Sequence, residues 1–325
     1  MMPGVLLMVT GVLFMAAPFF APDSGGDFFS DRVSGIAFLL LGVFVWLNDA
    51  QRKSPTPVRL IFLRWLRWAL FAFVFAALFE WGAFFFSPGW EIPFPRLFLV
   101  GALAWILYDT GYTWMLIAAI SRSEMPLFPR FSADARPIWP NQLRFFALKD
   151  ALRKGQWTEV STFKAEVSGI DALRLRVFLR PDRRVRAGLY FVLQPSGGVA
   201  WAVSFDSRTD DGQRLVTDNL FLPYGGFYPE NWHVSRKPWM RSFERLAEFH
   251  ERRMQEAAAQ WRELEAETCE EINAQQRDLE RVNLEMGFLT APQEREETGA
   301  ITPAGRYRLW KEILKLNYLG RTGSL

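Results

Sequence analysis

Cysteine and histidine are almost missing from this chain: Cys269 stands alone, and His233 and His250 are the only histidines in 325 residues. A lone thiol cannot close an intrachain disulfide. One cysteine with two histidines cannot build a multi-cysteine zinc or iron–sulfur centre, so neither a metal nor a cofactor is expected. Also missing are a phosphate loop ending in Gly-Lys-Ser/Thr and a dinucleotide glycine fingerprint, and no serine or cysteine has an obvious base. The sequence therefore offers no complete catalytic signature. The most informative gap is the scarcity of charge before Ser121, where four apolar stretches follow one another.

Those stretches cover about Val5 to Phe20, Val33 to Leu47, Ile61 to Phe86 and Leu97 to Ile120. A perpendicular crossing needs about 20 apolar residues. The first two fall short and would borrow flanking residues or thin the bilayer, whereas the last two are long enough alone. The expectation is a four-helix transmembrane domain over residues 1–121. The first stretch is read as a retained span, since no Lys or Arg precedes it. Acids fill the loop after it, while Arg52, Lys53 and Arg59 fill the next. Positive charge stays on the cytoplasmic side, so both termini are placed in the cytoplasm, with a bacterial inner membrane as the expected compartment.

Two acids interrupt the apolar register, Glu80 in the third stretch and Asp109 in the fourth. A carboxylate at bilayer depth costs several kcal/mol unless protonated, paired or wet, which makes these the leading candidates for a functional site. Helical spacing sets Trp105, Tyr112 and Thr113 on the Asp109 face. Antiparallel packing of the two stretches would leave Asp109 midway in depth between Glu80 and Arg67, each roughly 10 Å away. Two roles follow: an ion- or proton-binding site with Tyr112 and Thr113 as donors, or a structural carboxylate satisfied by Tyr112, Thr113 or Arg67. Arg64 and Arg67 are expected to snorkel to the cytoplasmic headgroups.

Beyond Ser121 the character changes. Residues 122–140 form a proline-punctuated connector, and 141–236 read as an α+β domain. Leu173, Leu175, Val177 and Leu179 alternate with Arg174, Arg176 and Arg180, the period of a half-buried strand, and five such segments predict an antiparallel meander. Residues 237–287 then step by threes and fours through Phe243, Leu246, Trp261, Leu264, Ile272 and Leu279. This predicts one long amphipathic helix of about 70 Å, or a helix with a subtle break. Its stripe exceeds what a small sheet can cover, so a coiled-coil dimer or a protein partner is expected along it, with docking on its own domain as the alternative. Residues 288–325 are read as a loop and a short basic amphipathic helix, suited either to the cytoplasmic leaflet or to the sheet domain.

The remaining motifs are weaker. His250-Glu251-Arg252-Arg253-Met254 starts like a zinc-protease helix, but Met254 replaces the second histidine. Arg180, Arg183, Arg184 and Arg186 cluster at a strand turn and are candidates for contact with acidic lipid headgroups. They lack the interleaved aromatics of a nucleic-acid platform, and no nucleic acid is expected as a partner. The sequence thus leads to an integral membrane protein whose soluble domain serves as an interaction, scaffold or sensory module without catalysis. The alternative is an ion or proton conductor working through Asp109 and Glu80.

Overall fold

The computed structural model describes the chain apart from residues 1, 21–27, 54–55, 87–91, 124–126, 136–138, 141–142, 168–169, 194–198 and 322–325, and apart from the side chains at 2, 14, 16–20, 28–34, 53, 80–86, 143–144, 166–167, 170–172 and 193. Two compact units result, one made of Met1–Trp114 with Asn317–Leu319, the other of Met115–Leu316 with Gly320–Leu325.

In the first unit, α1 (Met2–Phe20) and α2 (Phe28–Lys53) form a hairpin, followed by α3 (Pro57–Phe86) and most of α4 (Phe94–Arg122). Glycines seven apart on each helix let the hairpin backbones touch. A Cβ added at Gly11 would stand 2.6 Å from the Gly35 carbonyl oxygen, and one at Gly42 would stand 2.7 Å from that of Gly4. Close approach through small residues is how helices associate where apolar burial gives no drive. The second pair packs through rings instead, Phe71 lying 4.9 Å from Trp105 and Phe73 5.2 Å from Phe94. Leu99, Val100, Leu103 and Leu107 turn outward from α4.

The expectation of four spans is corrected here. Among the described residues two helices are long and apolar enough to cross a membrane, α3 over Pro57–Phe79 and α4 over Phe94–Arg122. Among the described residues the apolar helix of α1 is limited to Pro3–Leu13, and the apolar sequence of α2 ends at Asn48-Asp49 although the helix continues to Lys53.

The second unit is built on a sheet of seven strands in sequence order: β1 (Phe131–Ala133), β2 (Thr158–Val167), β3 (Ile170–Leu179), β4 (Arg186–Leu193), β5 (Val199–Arg208), β6 (Arg214–Asp218) and β7 (Trp232–Arg236). The antiparallel meander is also corrected, because β7 runs parallel to β6 and makes the sheet mixed. The loop through Gly225-Gly226 carries the chain back before β7 starts, so no tight hairpin links the two strands.

Both faces of the sheet are covered. On one, Phe178, Leu189, Phe191, Val203 and Phe205 pack against α5 (Leu143–Lys154) and α6 (Phe243–Glu256). On the other, Phe131, Phe163, Leu175 and Val177 pack against Ile272 of α7 (Cys269–Glu285). This overturns the single long helix. A straight helix can cover one face only, and the chain breaks after α6 to reach the second. Ala258 takes the left-handed conformation, with φ +47°. An extended stretch then follows β5, Trp261 bridging to Thr209 and the Leu264 N–H donating to the Arg183 carbonyl at 2.7 Å. Thr268 caps the restart by accepting from the Glu271 N–H at 3.1 Å.

Phe243, Leu246, Leu264, Ile272 and Leu279 are all buried inside this unit and Trp261 is half-buried, so the expected association stripe is used internally. Nothing continuous remains for a coiled coil. The chain ends through a short turn α8 (Arg295–Thr298) and α9 (Pro303–Leu314), which runs into a π-helical turn over Lys315–Leu319.

Candidate functional site

Asp109 is reached from two directions. α3 and α4 run antiparallel, which brings Arg64 to its level, and the Arg64 guanidinium Nη1 lies 3.4 Å from Asp109 Oδ2. The same oxygen accepts the Tyr318 hydroxyl at 2.7 Å. Tyr318 belongs to the three-residue segment that groups with the helices, and it is fixed there twice more. Its carbonyl accepts the Trp65 indole N–H at 3.0 Å, and its ring meets that indole edge-on at 5.3 Å. The Arg64 guanidinium also stands 5.8 Å from the Tyr318 ring centroid, within cation–π range.

Arg64 brings a guanidinium and Tyr318 a hydroxyl donor to the same carboxylate oxygen. Burial pushes the Tyr318 hydroxyl well above the ordinary tyrosine range, and its bond to the Asp109 carboxylate pushes it further the same way. The phenol is thus kept as a donor. The level is also informative, since Arg64 lies between Arg59 and Arg67 on the cationic opening turns of α3. Asp109 therefore stands beside the polar end of α3.

The other residues singled out around Asp109 lie elsewhere. Thr113 is buried, but its hydroxyl donates to the Asp109 backbone carbonyl at 2.7 Å, one turn back along the helix. Tyr112 is exposed and stacks on Tyr108 at 6.0 Å. Arg67 is exposed, over the Phe44 ring at 5.5 Å. The Glu80 side chain lies outside the described residues. Periodicity could not have found Tyr318, whose approach depends on where the end of the chain returns. Arg64 was visible as a cation on α3; only the relative level of the two helices pairs it with Asp109.

The four arginines of the β3–β4 turn are divided among separate tasks. Arg180 grips Asp182 with two nitrogens, at 2.9 and 2.5 Å, and Glu251 with the third, at 2.6 Å. Arg183 has φ +57° and donates to the Leu264 carbonyl at 3.3 Å, while the Arg184 side chain is exposed. Arg186 is buried and pairs with Glu267 at 2.8 Å and Glu271 at 3.2 Å. The network continues through Arg208, Asp206 and Arg214. Burial alone would raise the Asp206 carboxyl, but Arg214, Arg208 and Arg186 outweigh it and hold the group down at about 2.

His250 is sealed in the core at 1% exposure. Its Nδ1 lies 2.8 Å from Thr217 Oγ1 and its Nε2 3.0 Å from Ser207 Oγ. Ser207 directs its own proton to the Arg184 carbonyl at 2.9 Å, and Arg253 donates to Thr217 at 2.7 Å. The tautomer that satisfies all four groups carries the proton on Nε2 and accepts from Thr217 on Nδ1. His250 is then a donor to Ser207, the reverse of a nucleophile and its base. Burial drives the imidazole down to about 3, so it stays neutral. Among the described residues no group of three or more His, Cys, Asp or Glu side chains is placed to hold a metal ion.

Comparison of the chain with family models, curated proteins and solved structures found no match.

Proposed function

We propose that this protein is a membrane-anchored scaffold or sensory module whose soluble domain binds a protein partner without catalysis of its own. The observation that carries this reading is the three-way contact of Asp109 with Arg64 and Tyr318. It uses Asp109 of α4 to hold the Tyr318 turn in place. A carboxylate engaged by an arginine and a phenol acts as a lock, and a lock of this kind suits a protein that changes state when something binds. The internal use of His250 and of the Arg186 network supports the same reading, because the side chains best suited to chemistry serve the core. In this proposal α3 and α4 cross a bacterial inner membrane, with Arg52 and Arg59 on the cytoplasmic side together with the sheet domain.

The test is the composition of the intact complex extracted in mild detergent, compared between the wild type and Asp109→Asn. A stoichiometric second protein that is retained by the wild type and lost or gained by the variant is the expected result. A homo-oligomer that conducts ions or protons, with flux abolished by Asp109→Asn at normal expression, would replace this reading with the conductor.

A further inference from the structure

The geometry points to α9 as a binding surface for anionic phospholipid headgroups, an inference that rests on the membrane reading above. Three observations combine. First, the helix starts beside the end of α4. Ser121, in the last turn of α4, accepts from the Ile301 N–H at 2.9 Å through its hydroxyl, and its carbonyl accepts from the Ala300 N–H. Gly299, at φ +83°, permits this approach, since a Cβ there would stand 2.6 Å from Ser121 Oγ. If α4 crosses the bilayer, Ser121 marks its exit, and α9 begins two residues after Ile301.

Second, the face of α9 turned away from its own domain has the composition of an interfacial helix. Gly305 and Leu316 are buried and Leu309 packs into the domain, whereas Tyr307, Lys311 and Lys315, one turn apart each, are exposed. Tyr307 is 51% exposed, stacks on the half-buried Trp310 at 5.9 Å, and carries the Lys311 ammonium 5.1 Å above its ring. Aromatic rings with lysines beside them suit the headgroup layer, where an apolar body and a charged tip are both satisfied.

Third, the charge is one-sided. From Thr302 to Arg321 there are five cations, Arg306, Arg308, Lys311, Lys315 and Arg321, against Glu312 alone. Arg306 and Arg308 turn to the backbone carbonyls of Ile301 and Gly225. That leaves Lys311, Lys315 and Arg321 exposed, with Arg122 exposed at the end of α4. Glu296 and Glu297 precede this stretch on α8 and would be repelled by an anionic surface, which assigns the contact to α9 itself. Lys315 pairs with Glu312 at 3.1 Å, leaving Lys311 and Arg321 as the remaining exposed cations of this stretch, whereas Arg180 and Arg186 of the β3–β4 turn each engage two carboxylates.

The experiment places a spin label at Tyr307→Cys in a Cys269→Ser background of the full chain and reconstitutes it in bilayer discs. The discs contain phosphatidylcholine, alone or with phosphatidylglycerol. A second label at Leu103→Cys, 54% exposed on α4, reports whether α4 lies in hydrocarbon. Adding phosphatidylglycerol is expected to move the position-307 label from the water-soluble relaxant toward oxygen. Lys311→Glu with Lys315→Glu is expected to reverse that shift, by about fivefold in bound fraction per lysine, the weight of one cation at an anionic surface. A position-307 label that stays aqueous in both compositions, with position 103 in hydrocarbon, overturns the inference and leaves the membrane reading standing. A lipid-bound label indifferent to both charge changes also overturns it. Position 103 in water would remove the membrane reading itself.

Discussion

Tyr318 and Asp109, separated by 209 residues, meet at 2.7 Å with the hydroxyl donating to the carboxylate. Trp65 holds the tyrosine from its backbone side and Arg64 balances the charge. The last turn of the chain is thereby bound to the same helical pair that contains the acid, through a contact that is polar, directional and removable by one substitution.

If the two residues act as a unit, their effects will not add. Tyr318→Phe removes a donor from the carboxylate and is expected to cost about 1 kcal/mol, while Asp109→Asn strands Arg64 as well and should cost about 2 kcal/mol or more. The double variant is expected to fall short of the sum by at least ~0.5 kcal/mol. Thermal unfolding of the four proteins in one detergent measures the coupling, and strict additivity would dissolve the lock.

The core histidine predicts a pH dependence. His250 binds a proton near pH 6.5 when unfolded but only at about 3 when folded. Between those values the unfolded state holds more protons, so stability rises with pH across that window. It is lost as pH falls below about 6.5, at up to ~1.4 kcal/mol per pH unit. His250→Gln should flatten this slope relative to wild type in denaturant titrations between neutral and mildly acidic pH. Equal slopes in both proteins would mean the imidazole is reachable by protons in the fold.

Breaking the buried network on one side should cost more than removing both partners. Arg186→Leu leaves Glu267, itself buried, without its cation and with only the Gln275 amide as a side-chain donor, and is expected to destabilise by about 3–5 kcal/mol. Arg186→Leu with Glu267→Leu should recover part of that loss. Urea unfolding of the two variants decides whether the ion pair contributes net stability or chiefly avoids a stranded charge.

The break between α6 and α7 makes a prediction of opposite sign to helix propensity. Ala258 sits at φ +47°, where an L-residue is strained by roughly 1–2 kcal/mol and glycine is not. Ala258→Gly should therefore stabilise. A continuous helix through this position would instead lose about 1 kcal/mol on the same substitution.

Parts of the architecture are legible in the sequence, and the failures share a cause. α3 and α4 stand out in the sequence as long apolar runs, and they are the helices long and apolar enough to cross a membrane among the described residues. Asp109 stood out against that run. The stripe from Phe243 to Leu279 reads as one helix, with at most a subtle break, because periodicity records which residues face inward and not which wall they face. Its positions remained apolar as the chain moved from one sheet face to the other. The signal that could have divided it was present in Thr268 with Glu271 three residues on, the spacing of a helix start. β1 is three residues long within a proline-rich stretch, too short for any alternation to show.

Local chemistry in the sequence determined that α3 and α4 are long and apolar and where several of the strands alternate. These depend on neighbours a few residues apart. Only the tertiary structure decided that Arg64 and Tyr318 meet Asp109, that His250 donates to Ser207, and that Arg186 is buried while Arg184 is exposed. Each is a contact between distant parts of the chain, set by the relative level of helices and the register of strands, which no local pattern encodes.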